Sequence, residues 1–467
     1  MNRENKYLPF IALFLIVLIS RLPFLSAGYG VEEDSWGIAL AAFHTKLSGI
    51  YEPSRFPGHP VQELIYSALW GTGPVVFNLL CAIFSAAATV YFALIMRHFN
   101  FRHYFLAALA FAFVPVVYIS STYTIDFMWS ETFVLMSFYL LLKNRLVSSG
   151  ILLGLAVGCR ITCGVMVLPY MLILWQQGDL RSNMRSFFKI TIPMGIVSLI
   201  AFLPVIIQFG TSFFMYYDQF PYPPLSKVIY KMTFGVFGFI GFTAILFFML
   251  IILSGKNKNG NGELFAGSLD KRVVSACYLL IALYVISYFR LPQKSGYMLP
   301  VIPFAIILFG YYLSSKQFRI FSIAMILSSF FSSINLTDKL RGAEHSALAL
   351  KHTISGQEIF FDVLSGPVFS DYSKRKLKMK YTDEVIQKIK GTSAKTLIIS
   401  GWWYNEVVVT MLGAPTPKNV VLVPYINEEE MKRYVTDGYS ITYLPEQDKY
   451  NDLMHKINST DQLAQPF

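Results

Sequence analysis

Ten stretches of this chain are dominated by apolar residues, at about 7–26, 74–96, 103–121, 128–142, 147–175, 187–208, 228–253, 273–289, 297–313 and 319–336. Most are close to the ~20 residues that an α-helix needs to cross the hydrocarbon core of a bilayer. A chain with this pattern reads as an α-helical polytopic membrane protein. Composition agrees, because only 14% of the 467 residues are charged, against about 25% in a soluble chain. Phe and Tyr are abundant, at 41 and 28 residues, as expected where lipid is the solvent. The first run follows Arg3 and Lys6, and no small-residue cleavage pattern appears before Arg21. It reads as the first membrane helix or an uncleaved signal anchor.

The 147–175 stretch is too long for one comfortable span and holds Arg160 near its middle, beside Gly158 and Gly164. It reads as two short helices forming a hairpin, with one long tilted helix as the alternative. The basic connectors then orient the chain through the positive-inside rule. Arg97 and Arg102, Lys143 and Arg145, Arg181 to Lys189, Lys256 to Arg272, and Lys316 with Arg319 all lie on one side only if 147–175 enters and leaves from that side. The result is about eleven transmembrane helices, with the N-terminus inside and the C-terminal segment outside. The net charge of +11 sits almost wholly in these connectors. It therefore marks topology and argues against nucleic acid as a partner.

Two domains follow: residues 1–336 in the membrane and residues 337–467 as a small extracytoplasmic α/β domain. In the tail, β-rich runs at 359–363, 396–399, 420–424 and 440–444 alternate with helix-compatible stretches. It contains no glycine-rich phosphate loop, nucleophile elbow or metal motif, so it reads as a lid or acceptor-binding unit. The short 256–262 loop reads as flexible. The four cysteines, Cys81, Cys159, Cys163 and Cys277, lie in apolar stretches and read as buried small hydrophobes.

The unusual polar residues collect on the outer side. The first external loop reads Gly30-Val31-Glu32-Glu33-Asp34-Ser35-Trp36, followed by a surface helix over 38–47 and then Tyr51-Glu52-Pro53-Ser54-Arg55-Phe56-Pro57-Gly58-His59-Pro60. A carboxylate at a membrane surface suits a general base for a hydroxyl acceptor, although acids in a loop also serve solubility alone. Arg290 and Lys294 flank a tight external loop that runs into Tyr297-Met298-Leu299-Pro300. External cations run against the topology rule, and fixed positive charge suits a lipid phosphate; the plainer role is as snorkelling anchors. Asp126 stands at the outer edge of the fourth span, as a functional acid or a helix N-cap. Arg160 either meets the same phosphate or pairs with Asp126.

The order and shared sidedness of these segments resemble the GT-C superfamily of membrane glycosyltransferases. Glu33-Asp34 matches the acidic motif after the first span. The Tyr51 to Pro60 stretch is similar to the segment that follows it in many bacterial members. Gly154-Leu155-Ala156-Val157-Gly158-Cys159-Arg160 resembles the glycine-rich segment ending in arginine. Lys294 with Tyr297-Met298-Leu299-Pro300 and Pro303 is similar to the pattern in aminoarabinose transferases and protein mannosyltransferases. Glu-Glu-Asp in place of a simple acidic pair leaves the base open among Glu32, Glu33 and Asp34.

The resemblance implies a sugar donor on a polyprenyl phosphate, a glycan, lipid or protein hydroxyl acceptor, and inverting displacement. Asp34 would be the base, with Glu33 next. Lys294, Arg290 and Arg160 would bind the donor phosphate. Asp126, Arg55, His59 and Tyr297 would contact substrate. Membrane lipids are the remaining partners. No cofactor is assigned, and a divalent metal stays open because some relatives use one. The implied location is a bacterial inner membrane, with the site facing the periplasm or exterior. The rival readings are a transporter or flippase of a lipid-linked solute, a ligase or polymerase using a diphosphate-linked glycan, and a non-catalytic subunit.

Overall fold

In a computed structural model of the protein, the described residues are 7–210, 222–255, 262–267, 269–336, 346–354, 357–412, 417–444 and 464–466. Most of the 256–262 loop, the middle of the 209–227 loop and the expected start of the tail near Asp338 lie outside them.

The chain begins with helix α1 (Leu8–Arg21), followed by α2 (Glu33–Ser48), α3 (Pro60–Ala68), α4 (Pro74–His98), α5 (Tyr104–Ala112), α6 (Pro115–Ser120), α7 (Phe127–Leu142) and α8 (Leu146–Cys159). Next come α9 (Val167–Leu174), α10 (Leu180–Phe209), α11 (Leu225–Met232), α12 (Phe234–Leu253), α13 (Lys271–Arg290), α14 (Val301–Tyr312) and α15 (Ser315–Leu327). Among the described residues, α4, α10, α12 and α13 are long and apolar enough to cross a bilayer, and several shorter helices are equally apolar. One large core of apolar side chains joins the helices of this half, with a smaller cluster around Val17, Ala86, Ala112 and Tyr118 beside it. It is an integral membrane protein.

Several spans are broken where the sequence suggested continuous helices. The 103–121 run divides into α5 and α6 at Pro115, with Val114 extended at ψ 133°. Proline lacks an N–H and disfavours helical backbone in the residue before it. In α12, Gly238 adopts a φ of +66° and kinks the helix. The run at 319–336 is not one helix. α15 ends at Leu327, and strand β1 (Ser333–Leu336) follows the serine-rich turn.

The 147–175 stretch turns back at Arg160, whose φ of −157° is extended backbone. Arg160 meets Asp126 at the start of α7. The Tyr170 hydroxyl, ten residues on, donates to Val134 O farther down α7 at 3.3 Å. The Trp175 carbonyl then accepts from Arg272 at the far end of α13. The two halves therefore run in opposite directions.

The region after the bundle holds two sheets. β1, β3 (Gln357–Asp362) and β2 (Ala349–Ile354) form an antiparallel sheet in the order β1-β3-β2. After α16 (Pro367–Gly391), strands β4 (Thr396–Ile399), β5 (Val420–Val423), β6 (Ser440–Tyr443) and β7 (Ala464–Pro466) form a parallel sheet, ordered β5-β4-β6-β7. Helices α17 (Tyr404–Met411) and α18 (Glu428–Thr436) connect them. The central strand β4 is buried throughout. Its Ile398 packs with Val385, Ile389 and Val407 of α16 and α17. Leu397 and Ile399, alternating to the other face, pack with Met431 of α18. Burial on both faces is what a parallel sheet requires.

Candidate active site

The loop after α1 enters helix at Glu33, so Asp34 sits in the first turn of α2, where an acid complements the helix dipole. The 38–47 segment is helical as expected. It is not simply laid on a surface, because Trp36, Ile38, Ala39 and Ala42 are buried. Lys294 lies in the connection between α13 and α14. Its ammonium forms close ion pairs with both Asp34 and Glu32. The guanidinium of Arg55 reaches Asp34 at 3.0 Å and Asp126 at 2.7 Å, bridging the two carboxylates. Arg160 closes the chain with a 2.7 Å bond to the second oxygen of Asp126. Residues up to 260 positions apart in sequence thus form one alternating line of charge.

The two aspartates differ in access. The Asp34 side chain retains 23% of its exposure, whereas Asp126 retains none. Burial pushes the Asp34 carboxyl up, but Arg55 and Lys294 outweigh that and hold it at about 2. Burial likewise opposes ionisation of Asp126, and His59, Arg160 and Arg55 prevail, so it is held below the usual carboxylate range. Asp126 does not cap α7 through its side chain; its oxygens are committed to arginines.

His59 is 4% exposed, and its Nδ1 lies 2.6 Å from the Cys159 carbonyl. A carbonyl can only accept, so Nδ1 carries a proton. Burial lowers the imidazole pKa, opposed by the nearby Asp126 carboxylate, and the ring pins the end of α8, one residue before Arg160. Asp126 and His59 are both enclosed by protein groups in this structure, bonded to the residues around them. The Arg160 guanidinium lies between two rings, 4.7 Å from Phe127 and 4.6 Å from Tyr297. Tyr297 thus supports Arg160 by a cation–π contact. Gly296, next to it, allows the close approach, because a Cβ there would stand 2.2 Å from the Phe127 ring. Arg290 ends α13 and is exposed. Glu33 is half-buried one position before Asp34.

Other residues position the site without standing out in the sequence. Glu63 on α3 accepts from the Tyr51 hydroxyl, from Ser54 N at 3.0 Å and from His59 N at 2.8 Å, folding the 51–59 loop around one carboxylate. An acid four residues after a histidine at a helix start was the available signal. α16 supplies a second brace. The buried Arg375 donates to the carbonyls of Phe24 (3.1 Å) and Thr122 (2.9 Å). Lys378 donates to Val31 O at 2.9 Å and pairs with Glu406 at 2.6 Å. One helix after the bundle therefore grips both loops that carry the aspartates. Nothing local in 375–378 marks this, since both residues resemble ordinary surface charges of a helix.

Among the described residues, no three His, Cys, Asp or Glu side chains converge as ligands for a metal ion. The carboxylates of the cluster are already neutralised by fixed cations, so the residues present do not fit a resident divalent ion.

No family model matches the chain, and no curated protein matches it in sequence. Solved structures do match in fold. ArnT from Cupriavidus metallidurans bound to undecaprenyl phosphate is 12% identical, with a TM-score of 0.55 over 97% of this chain and 95% of that one. The apo state of the same protein gives 11% identity, the same TM-score and the same coverage. The likeness thus holds at the level of the fold, along nearly the whole of both chains.

Proposed function

We propose that this protein is a membrane glycosyltransferase that takes a sugar from a polyprenyl-phosphate donor and delivers it to a hydroxyl acceptor with inversion. The observation that carries the reading is the Lys294–Asp34–Arg55 group, in a fold shared with a protein crystallised with undecaprenyl phosphate. A partly accessible carboxylate here stands against two fixed cations, which is what a base beside a phosphate leaving group requires.

In the proposed reaction, the acceptor oxygen attacks the anomeric carbon and loses its proton to Asp34. The bond from that carbon to the phosphate oxygen breaks, and its electron pair leaves with the prenyl phosphate. Lys294 stabilises that charge, with Arg290 at the same loop as the second candidate. Without donor, Lys294 lies against Asp34 and depresses its basicity. A phosphate that draws Lys294 away would raise the pKa of Asp34 and make it a better base, so donor binding primes proton removal. Glu32 shares Lys294 with Asp34, and Glu33 is the alternative base. Asp126 and Arg160 hold Arg55 and the 291–298 loop in place. The proposed arrangement has about eleven membrane helices in residues 1–336. Residues 337–467 and the site face outward from a bacterial inner membrane, and the acceptor is a glycan, lipid or protein.

The test is release of prenyl phosphate by the purified, lipid-reconstituted protein from a panel of radiolabelled polyprenyl-phosphate sugars. Wild-type release, abolished by both Asp34→Asn and Lys294→Ala in folded protein, supports the reading and names the sugar. Full turnover by Asp34→Asn removes the base assignment. Passage of a labelled lipid across vesicles without covalent change would replace the transferase by a transporter.

A further inference from the structure

At the end of the bundle opposite the carboxylate cluster, α1, α4 and α7 line an open cavity of about 430 Å³. α4 separates the two places. Near its start, Asn78 donates to the carbonyls of Leu25 and Gly28, both at 2.8 Å, beside the loops that lead to the aspartates. His98 lies at the other end of this helix, about 30 Å from Asn78 at 1.5 Å per residue, comparable to the ~30 Å of hydrocarbon. α7 repeats the relation, running from Asp126 at one end to Lys143 at the other.

Arg97, His98 and Lys143 converge on this cavity together with Tyr7, Phe10 and Tyr139. Lys143 donates to His98 Nδ1 at 3.2 Å, so that nitrogen carries no proton. The ring is then neutral, with its hydrogen on Nε2, and acts as a further donor. Aromatic faces hold the two cations: Arg97 lies 5.4 Å from the Phe10 ring and Lys143 lies 5.6 Å from Tyr139. The positive-inside tendency explains cations on this side but not their convergence on one cavity. Arg102, Lys316 and Arg319 obey the same tendency and do not line it.

We infer that this cavity is a binding site for the headgroup phosphate of an anionic phospholipid, at the membrane face opposite the proposed active site. Arg97 and Lys143 supply fixed charge, the His98 Nε2–H and the tyrosine hydroxyls supply neutral donors, and Phe10 offers an apolar wall to the glycerol and upper chains. Basic pockets between membrane helices favour such headgroups, and arginine suits phosphate by paired donation. The site is independent of the transferase reading and stands if that reading fails.

The experiment uses the full-length protein, delipidated in detergent and titrated with short-chain phosphatidylglycerol, phosphatidylcholine or inorganic phosphate, with bound ligand counted by native mass spectrometry. Phosphatidylglycerol should occupy one site more tightly than phosphatidylcholine. Arg97→Gln with Lys143→Gln should weaken it about 25-fold, at about fivefold per cation. Lys143→Arg should retain it, and the control pair Lys316→Gln with Arg319→Gln should leave it unchanged. The exposed single variant Lys143→Gln serves if the double variant is not monodisperse. Equal affinity for the two lipids, no loss in the pocket variants, or the same loss in the control pair would overturn the inference. Inorganic phosphate binding as tightly as the lipid, and lost with the same substitutions, would give the site to a soluble anion and overturn the lipid assignment.

Discussion

Asp126 and Asp34 share one arginine, yet the two carboxylates answer to different demands. Asp126 is wholly enclosed and bonded to Arg55 and Arg160. Removing its charge leaves Arg160 without its carboxylate and Arg55 with Asp34 alone, and breaking a largely enclosed pair in this way typically costs up to about 3–5 kcal/mol. Asp126→Asn should therefore lower the unfolding temperature in lipid nanodiscs by several degrees and abolish turnover through loss of geometry. Asp34→Asn leaves Glu32 on Lys294, so stability should change little while turnover falls by about 10²–10⁴, as for a lost general base. The pH dependence follows the same electrostatics. A carboxyl held near 2 is ionised throughout the neutral range, and kcat/KM reports the free enzyme. Its profile should show no acid limb from Asp34 between about pH 5 and 8. In kcat, measured with donor bound and Lys294 drawn to phosphate, an acid limb should move upward toward the ordinary carboxylate range. The pair of profiles, taken on one preparation, checks the proposed priming.

Among the elements, α8 and α16 decide whether the charges meet. α8 carries Gly150, Gly154 and Gly158 at every fourth position, all turned to closely packed neighbours. A Cβ on Gly150 would stand 2.3 Å from the Ile190 carbonyl oxygen, and one on Gly154 would stand 2.8 Å from that of Met194. Small residues at this spacing let membrane helices approach closely. The neighbouring atoms are backbone of α10 and cannot swing aside. Gly150→Val should force α8 away from α10, cost about 1–3 kcal/mol by overpacking, and displace Arg160 at the end of the same helix. Thermal unfolding and turnover should fall together. α16 acts from outside the bundle. Arg375→Ala removes the donors to Phe24 O and Thr122 O, leaving buried carbonyls unpaired at about 1–3 kcal/mol. Hydrogen exchange should then rise in residues 24–34 and 121–126 ahead of the rest of the protein. Unchanged exchange in those loops would make α16 a bystander.

For the whole molecule, the arrangement predicts sidedness. All four native cysteines are buried, so an introduced thiol reports alone. Arg145→Cys, at the end of the bundle away from the carboxylates, and Glu429→Cys, which is 80% exposed on α18, should react with an impermeant maleimide from opposite faces of an oriented membrane. Labelling of both from one face would reverse the topology derived from the basic connectors. A related expectation concerns the region after the bundle. Arg375 and Lys378 bond to the loops of the site, so deleting residues 345–467 should reduce turnover with every acceptor. A change of acceptor preference alone would instead fit a detachable specificity unit.

The apolar runs, the basic connectors and the unusual polar residues of the loops were legible in the sequence, because span length, charge asymmetry and alternating strand patterns are local properties of a chain. The break at Arg160 was legible too, from an arginine set between glycines in a run too long to cross once. The sequence could name Asp34, Arg55, Asp126, Arg160 and Lys294 as unusual residues for their positions, but not which of them touch. Pairing energy depends on distance and on the exclusion of water, and both arise only when helices distant in the chain pack together. Tertiary structure alone therefore decided that Arg55 bridges the two aspartates, that Asp126 and His59 are enclosed, and that Gly296 lets its loop close onto Phe127. It also decided that Arg375 and Lys378, two cations in an ordinary polar helix, brace the loops at the other end of the sequence.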